Sequence, residues 1–366
     1  MKIPLSRPFM GTEEGDAVLE VIKSRFIACG QTTRAFENAL TRKFNRKYCI
    51  VVNSGTSALY LSLKVLGIKQ VIVPSITSIA VLNAALNADS KPIFADIEPE
   101  THNIDLSTLA KRQLEEADGI IATQTYGHSA DMDELEYYVK NYHLSLIEDF
   151  AQAAGGFFKN RILGSFGKIS VTSFYGTKIM TAGHGGAILT DDSEVYQKCL
   201  YACGEATNYC YNNIIPMNLR MTDIQSAIGL VQLKKLDRMV DMRRSAAHKL
   251  TALLTSLELK LPVEKPDVKH TYYKYHLVLP EHMQKQAFIK EMGKRDVAIG
   301  TCFDPPLHKT WLAKNMLNTD TELPVSENIA PRTVSLPIFP EITDGDISRI
   351  CRAVNALLEN SKISDR

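Results

Sequence analysis

Tyr48-Cys49-Ile50-Val51-Val52-Asn53-Ser54-Gly55-Thr56-Ser57-Ala58-Leu59 changes character twice. Tyr48 to Val52 is an apolar, β-branched run, the pattern of a strand buried on both faces. Asn53 to Ser57 supply turn and capping chemistry. Residues 58–66 carry a helical pattern that Gly67 closes. Upstream, Phe36, Ala39, Leu40 and Phe44 fall at helical spacing, and Thr33 is the expected N-cap. A buried strand that passes through a tight turn into a helix is the repeating unit of an α/β fold.

The alternation continues in both directions. Strands are expected over 71–73, 92–95, 119–123 and 144–147, with helices over 77–88, 106–114 and 132–142. Such a chain builds a mostly parallel sheet with helices on both faces. Ligands of such sheets sit beyond the carboxyl ends of the strands. After Asp149 glycines crowd the sequence, and two more strands fit over 169–175 and 187–190. A long helix over 222–257 then leads to a strand over 272–279 and helices over 283–295 and 344–358. We expect a large domain over 1–235 and a smaller α+β domain over 236–366.

Of 366 residues, 45% are hydrophobic and 23% charged, an ordinary globular balance with length for about two domains. Lys and Arg number 42 against 41 Asp and Glu, a formal net charge of +1. No general basic field draws this chain to nucleic acid or to an anionic membrane. The first residues lack the apolar core of a signal peptide, and no stretch approaches the roughly 20 apolar residues of a membrane span. The expectation is a soluble cytoplasmic protein. Seven cysteines without a Cys-x-x-Cys pair read as reduced, mostly buried thiols. Nine histidines without a His-Glu-x-x-His pair suggest no metal site. Trp311 reads as partly buried.

Three constellations follow strands. In Asn53-Ser54-Gly55-Thr56-Ser57, a helix N-terminus offers free N–H donors, Gly55 permits close backbone approach, and Thr56 and Ser57 add hydroxyls. That suits a phosphate, and equally an ordinary capped helix. In Glu148-Asp149-Phe150-Ala151-Gln152, Asp149 can pair with a protonated ring nitrogen, or can simply cap a helix. Gln152 can hydrogen-bond a ring oxygen. In Ser173-Phe174-Tyr175-Gly176-Thr177-Lys178, the lysine is either a surface residue or an amine nucleophile toward an aldehyde. Each reading is weak alone, but together, in order and each at a strand end, they point to one site.

These residues resemble the sugar aminotransferases of the DegT/DnrJ/EryC1/StrS family, which have the aspartate aminotransferase-like fold (fold type I). The likeness spans nearly the whole chain. Further motifs that carry it are Pro92-Ile93-Phe94-Ala95-Asp96, Tyr126-Gly127-His128, Asn218-Leu219-Arg220-Met221-Thr222-Asp223, Pro306-Leu307-His308 and Leu336-Pro337-Ile338-Phe339-Pro340. The resemblance implies a three-layer α/β fold and pyridoxal 5'-phosphate as cofactor, with pyridoxamine 5'-phosphate as its amino-carrying form. It implies that Lys178 holds the cofactor as a Schiff base and acts as acid and base. It pairs Asp149 with the pyridine nitrogen and Gln152 with the ring oxygen, and sets Gly55, Thr56, Ser57 and Ser173 around the phosphate. Asn218 would reach the phosphate of a partner subunit's cofactor, which makes a homodimer the minimum unit.

The implied substrates are an amino-acid donor, glutamate by analogy, and a nucleotide-linked keto-sugar of polysaccharide or secondary-metabolite biosynthesis. Two positions depart from the family pattern: Ser78 stands where a ring-stacking aromatic residue or histidine is usual, and His184 where many relatives carry an acid. Lys178 argues against the branch that dehydrates sugars, which often carries histidine there. Sugar dehydration, amination of a cyclitol, and a regulatory or binding protein that keeps the fold remain as alternatives.

Overall fold

The computed structural model describes residues 2–205, 211, 214–254, 258–317 and 320–364. Its main sheet has seven strands: β1 (Tyr48–Val52), β2 (Gln70–Pro74), β3 (Lys91–Ala95), β4 (Gly119–Thr123), β5 (Ser145–Asp149), β6 (Ile169–Ser173) and β7 (Gly186–Thr190). They lie in the order β1-β7-β6-β5-β4-β2-β3. Strand β7 runs antiparallel to both neighbours, while β6, β5, β4, β2 and β3 pair in parallel. All strands but β7 therefore end at the same edge.

Helices cover both faces. On one side lie α1 (Thr12–Ser24), α2 (Gln31–Phe44) and the long α8 (Asp223–Leu253); on the other lie α3 (Gly55–Leu66), α4 (Ile79–Asn87) and α7 (Ser193–Ala202). Alternation within the strands supplies the two cores. Cys49, Val51, Ile72 and Ile120 face the first side, and Ile50, Val52, Val71, Val73 and Ile121 the second. The expected three-layer, mostly parallel α/β sheet is present. Two further helices, α5 (Lys111–Glu116) and α6 (Met132–Tyr142), complete this part of the chain.

The single helix expected over 106–114 is instead a 3₁₀ turn, Leu106–Thr108, followed by α5. Asp105 caps the turn through the Ser107 N–H (2.9 Å), and Gln113 Oε1 accepts the Ala110 N–H (2.9 Å), so the segment has two starts. Helix α2 also begins earlier than expected, with Gly30 at its N-cap. Thr33 sits inside the first turn, and its N–H (2.8 Å) and hydroxyl (2.5 Å) both donate to Asp223 Oδ1. The Gly30 N–H donates to the same oxygen (2.8 Å). One carboxylate brought in from α8 thus satisfies donors that a local cap would otherwise serve.

A third core forms around an antiparallel pair, β8 (Tyr275–Val278) and β9 (Thr333–Leu336). Helices α9 (Lys285–Lys294) and α12 (Asp344–Ser364) cover it, with Leu277, Phe288, Val334, Ile350 and Val354 buried between them. Two short helices, α10 (Trp311–Leu317) and α11 (Pro324–Ile329), lie between α9 and β9 in sequence. Helix α8 joins the parts: Leu236 and Val240 pack into the sheet's first core, whereas Ala247 and Leu250 pack into the third. Trp311 is 73% exposed rather than partly buried. Cys49, Cys199, Cys203, Cys302 and Cys351 are buried free thiols and Cys29 is half-buried, while Cys210 lies outside the described residues. Among the described residues no helix is long and apolar enough to cross a membrane.

Candidate active site

Strands β1, β5 and β6 bring the three sequence constellations to one edge of the sheet. Behind β1, Ser54 caps α3 by accepting the Ser57 N–H (3.0 Å). The first turn of α3 is drawn tightly onto β6 and β7. A Cβ on Gly55 would lie 2.8 Å from Ser173 Cβ, and one on Gly186 would lie 2.6 Å from the Ser54 carbonyl. Only glycine at both positions lets the helix N-terminus, with its unpaired N–H groups and positive dipole end, come this close to the strand ends.

A cavity of about 380 Å³ opens there, within the roughly 300–1,000 Å³ of small-molecule sites. Ser54, Gly55 and Thr56 line one part of it, Asp149 and Gln152 another, and Ser173, Thr177 and Lys178 a third. Asp149 is 9% exposed, and its Oδ1 accepts the Ala151 N–H at 3.0 Å. Burial pushes its carboxyl above the usual range, opposed by the charge of Lys178 and by the Ala151 N–H. Gln152 Oε1 accepts the Tyr126 N–H (3.0 Å), which fixes the amide and leaves its NH₂ as the donor. Lys178 is half-buried, with its Nζ 5.0 Å from the centre of the Tyr273 ring.

Two of the expected cofactor residues stand apart from this cavity. Ser57 is not among its lining residues: its hydroxyl donates to Asn53 Oδ1 (2.7 Å) and lies 2.8 Å from Ser54 Oγ. Asn218 is exposed and does not line the cavity of its own chain. Ser78, at the place of the usual stacking residue, does line it while capping α4 at the Ala80 N–H (3.3 Å). His184 lines it too, with its ring 5.0 Å from that of Tyr175. His308 is buried away from the cavity, bonded to Ser75 Oγ (2.5 Å) and Glu327 Oε1 (3.0 Å). Tyr126 is a packing residue, stacked on Phe303 at 5.4 Å.

Sequence reasoning missed the wall contributed by the later part of the chain: Tyr273, Lys274 and Phe303. The Tyr273 hydroxyl lies 3.3 Å from Thr177 Oγ1. Burial would raise this phenol, but Lys178, the Thr177 hydroxyl, Lys274 and Arg243 outweigh it and hold the phenol below its usual range. Nothing in the run Tyr272-Tyr273-Lys274-Tyr275 marks which of its side chains meets the cavity.

The donor set fits pyridoxal phosphate. A helix N-terminus with hydroxyls suits the phosphate, a buried carboxylate suits a ring N–H⁺, an amide NH₂ suits the phenolic oxygen, and a lysine amine suits the aldehyde. Fold and cavity together suit a pyridoxal-phosphate enzyme.

The sequence matches the DegT/DnrJ/EryC1/StrS aminotransferase family over residues 8–355. It is 30% identical to the GDP-perosamine synthase of Escherichia coli O157:H7, covering 96% of this chain and 98% of that one. Among solved structures, Helicobacter pylori PseC, an aminotransferase involved in the biosynthesis of pseudoaminic acid, superposes with a TM-score of 0.90 at 26% identity, covering 98% of this chain and all of that one. DesV of S. venezuelae superposes with a TM-score of 0.90 at 25% identity, over 98% and 99% of the two chains. The chain belongs to the DegT/DnrJ/EryC1/StrS aminotransferase family, and it is a pyridoxal-phosphate-dependent aminotransferase.

Proposed function

We propose that this enzyme moves an amino group from an amino acid, glutamate, to the keto carbon of a nucleotide-linked sugar. The observation that carries the reading is the convergence of Lys178, Asp149 and the N-terminus of α3 on one cavity. Relatives named for nucleotide-sugar and amino-sugar chemistry support the acceptor class.

In this reading Gly55, Thr56 and Ser173 hold the phosphate with the free N–H groups of α3, and Ser57 stiffens that turn from behind. When bound, the cofactor's protonated ring supplies an electron sink. Asp149 keeps the proton on the ring nitrogen, and the ion pair offsets the cost of burying its carboxylate. The Gln152 amide donates to the ring oxygen. The Lys178 amine accepts the proton from the donor's Cα and returns one to the new amine-bearing carbon in the second half of the cycle. Tyr273, through Thr177, sets where that amine lies.

Asn218 acts across a homodimer interface, on the phosphate of the partner subunit's cofactor. The exposed apolar side chains of Phe26 (79%), Ile27, Ile215 (87%) and Met217 support a covered face in that part of the surface. A large domain over 1–235 and a small one over 236–366, working in the cytoplasm, put the cavity at the junction of the two.

Borohydride reduction of the holoenzyme followed by peptide mapping tests the reading. The label is expected on Lys178, and Lys178→Ala is expected to lose turnover by at least about 10³-fold. An unlabelled Lys178, or a variant that turns over like the wild type, overturns it.

A further inference from the structure

The cavity holds more positive charge than its assigned roles use. Among its lining residues the only carboxylate is Asp149, while Lys178 and Lys274 are both present. Neighbouring lysines are matched: Lys285 Nζ bonds Asp304 Oδ2 (2.8 Å), and Lys309 Nζ bonds Glu327 Oε1 (3.0 Å). Lys274 has no carboxylate within 4.0 Å among the described residues. Its ammonium lies 5.5 Å from the centre of the Phe303 ring, and Phe303 lines the same cavity. An aromatic face holds a cation in place without neutralising it. A lysine ammonium is a compact, strongly hydrated charge, so half-burying it without a partner is unfavourable until an anion arrives.

The position of Lys274 separates it from the phosphate cradle. Its N–H donates to the Tyr126 carbonyl (3.1 Å), and the Tyr126 N–H donates to Gln152 Oε1 (3.0 Å). Lys274 also follows Tyr273, whose ring faces Lys178 and whose hydroxyl meets Thr177. It is thus tied to the Gln152 and Lys178 side, whereas the N-terminus of α3 is packed against Ser173 and Gly186.

We propose that Lys274 is a substrate-recognition residue whose ammonium meets an anionic group of a substrate, at a point distinct from the cofactor phosphate. The inference rests on the aminotransferase reading of the cavity. Two substrate groups share the required chemistry: the carboxylate of the amino donor and the diphosphate of the sugar nucleotide. A transaminase handles them in separate half-reactions, so they can be told apart.

The test uses the holoenzyme and its Lys274→Met and Lys274→Arg variants. Calorimetry measures binding of maleate, a dicarboxylate that cannot be transaminated, and of a nucleoside diphosphate (UDP, GDP and dTDP in turn). Single-turnover absorbance follows each half-reaction. Losing one charge-assisted contact is expected to weaken one of the two anions roughly 10- to 100-fold in Lys274→Met. Lys274→Arg should recover most of it, and the matching half-reaction should slow while the other keeps its rate. Loss of maleate assigns the donor carboxylate; loss of the nucleotide assigns the diphosphate. If Lys274→Met binds both anions as the wild type does, with its cofactor absorbance intact, the proposal is overturned. A wild type that takes up no pyridoxal phosphate would instead sink the aminotransferase reading.

Discussion

Two carboxyl groups stand next to each other at the end of β5, and they serve opposite sides of the sheet. Glu148 is fully buried. It accepts the N–H groups of Gly164 (2.8 Å) and Phe166 (2.9 Å) and the Gln124 amide (3.3 Å). Burial drives its carboxyl up to about 7, and those donors together with Arg46 pull against it. Asp149 accepts one backbone N–H and otherwise borders the cavity and the charge of Lys178. Strand alternation sends neighbouring side chains to opposite faces. The same functional group is therefore a fastener for the 164–166 loop on one face and a free acceptor on the other. What separates the two is how many donors the surrounding backbone has already committed.

That contrast can be broken most sharply at Asp149. Asp149→Ala is expected to lower turnover by about 10²- to 10⁴-fold while the urea midpoint barely moves. Steady-state rates beside a denaturation curve check this, and near-normal turnover would remove Asp149 from the chemistry. Glu148→Ala should show the reverse pattern. It strips acceptors from two buried N–H groups, at about 1–3 kcal/mol for each group left unsatisfied, and turnover per folded molecule should hold.

A pH series sharpens the same point. The Glu148 carboxyl titrates near 7 in the folded chain against an ordinary 4.5, so folding favours its protonated form. Its contribution is present below about 4.5 and is lost as pH rises through about 7. The stability of the wild type relative to Glu148→Gln should fall across that window and level off above it, as read by urea unfolding at each pH. The smallest expected effect concerns the phosphate turn. Ser57→Ala should cost about 0.5–1.5 kcal/mol of stability and leave pyridoxal-phosphate affinity near that of the wild type. Thr56→Ala, whose side chain borders the cavity, should weaken cofactor binding more. A reversed ranking in a cofactor titration would show that Ser57, rather than Thr56, meets the phosphate.

The local sequence made several features legible. Buried strands with Asn53, Asp149 and Ser173 at or just beyond their ends marked the functional edge, since strand and helix periodicities are short-range and ligands gather where parallel strands end. The 106–114 segment misled because its apolar spacing carries across a break that Asp105 and Gln113 create by capping two separate turns. Thr33 looked like a cap because its true partner, Asp223, is 190 residues away.

The sequence alone therefore determined the strands of the main sheet and their alternation with helices, the family, and the lysine and acid near the strand ends, all written in residues close together along the chain. Only the tertiary structure decided that the Gly164 and Phe166 N–H groups reach Glu148 while Asp149 is left to the cavity, and that Tyr273, Lys274 and Phe303 close the far wall. Those outcomes depend on which distant backbone donors and side chains arrive at a given point, and no local period encodes that.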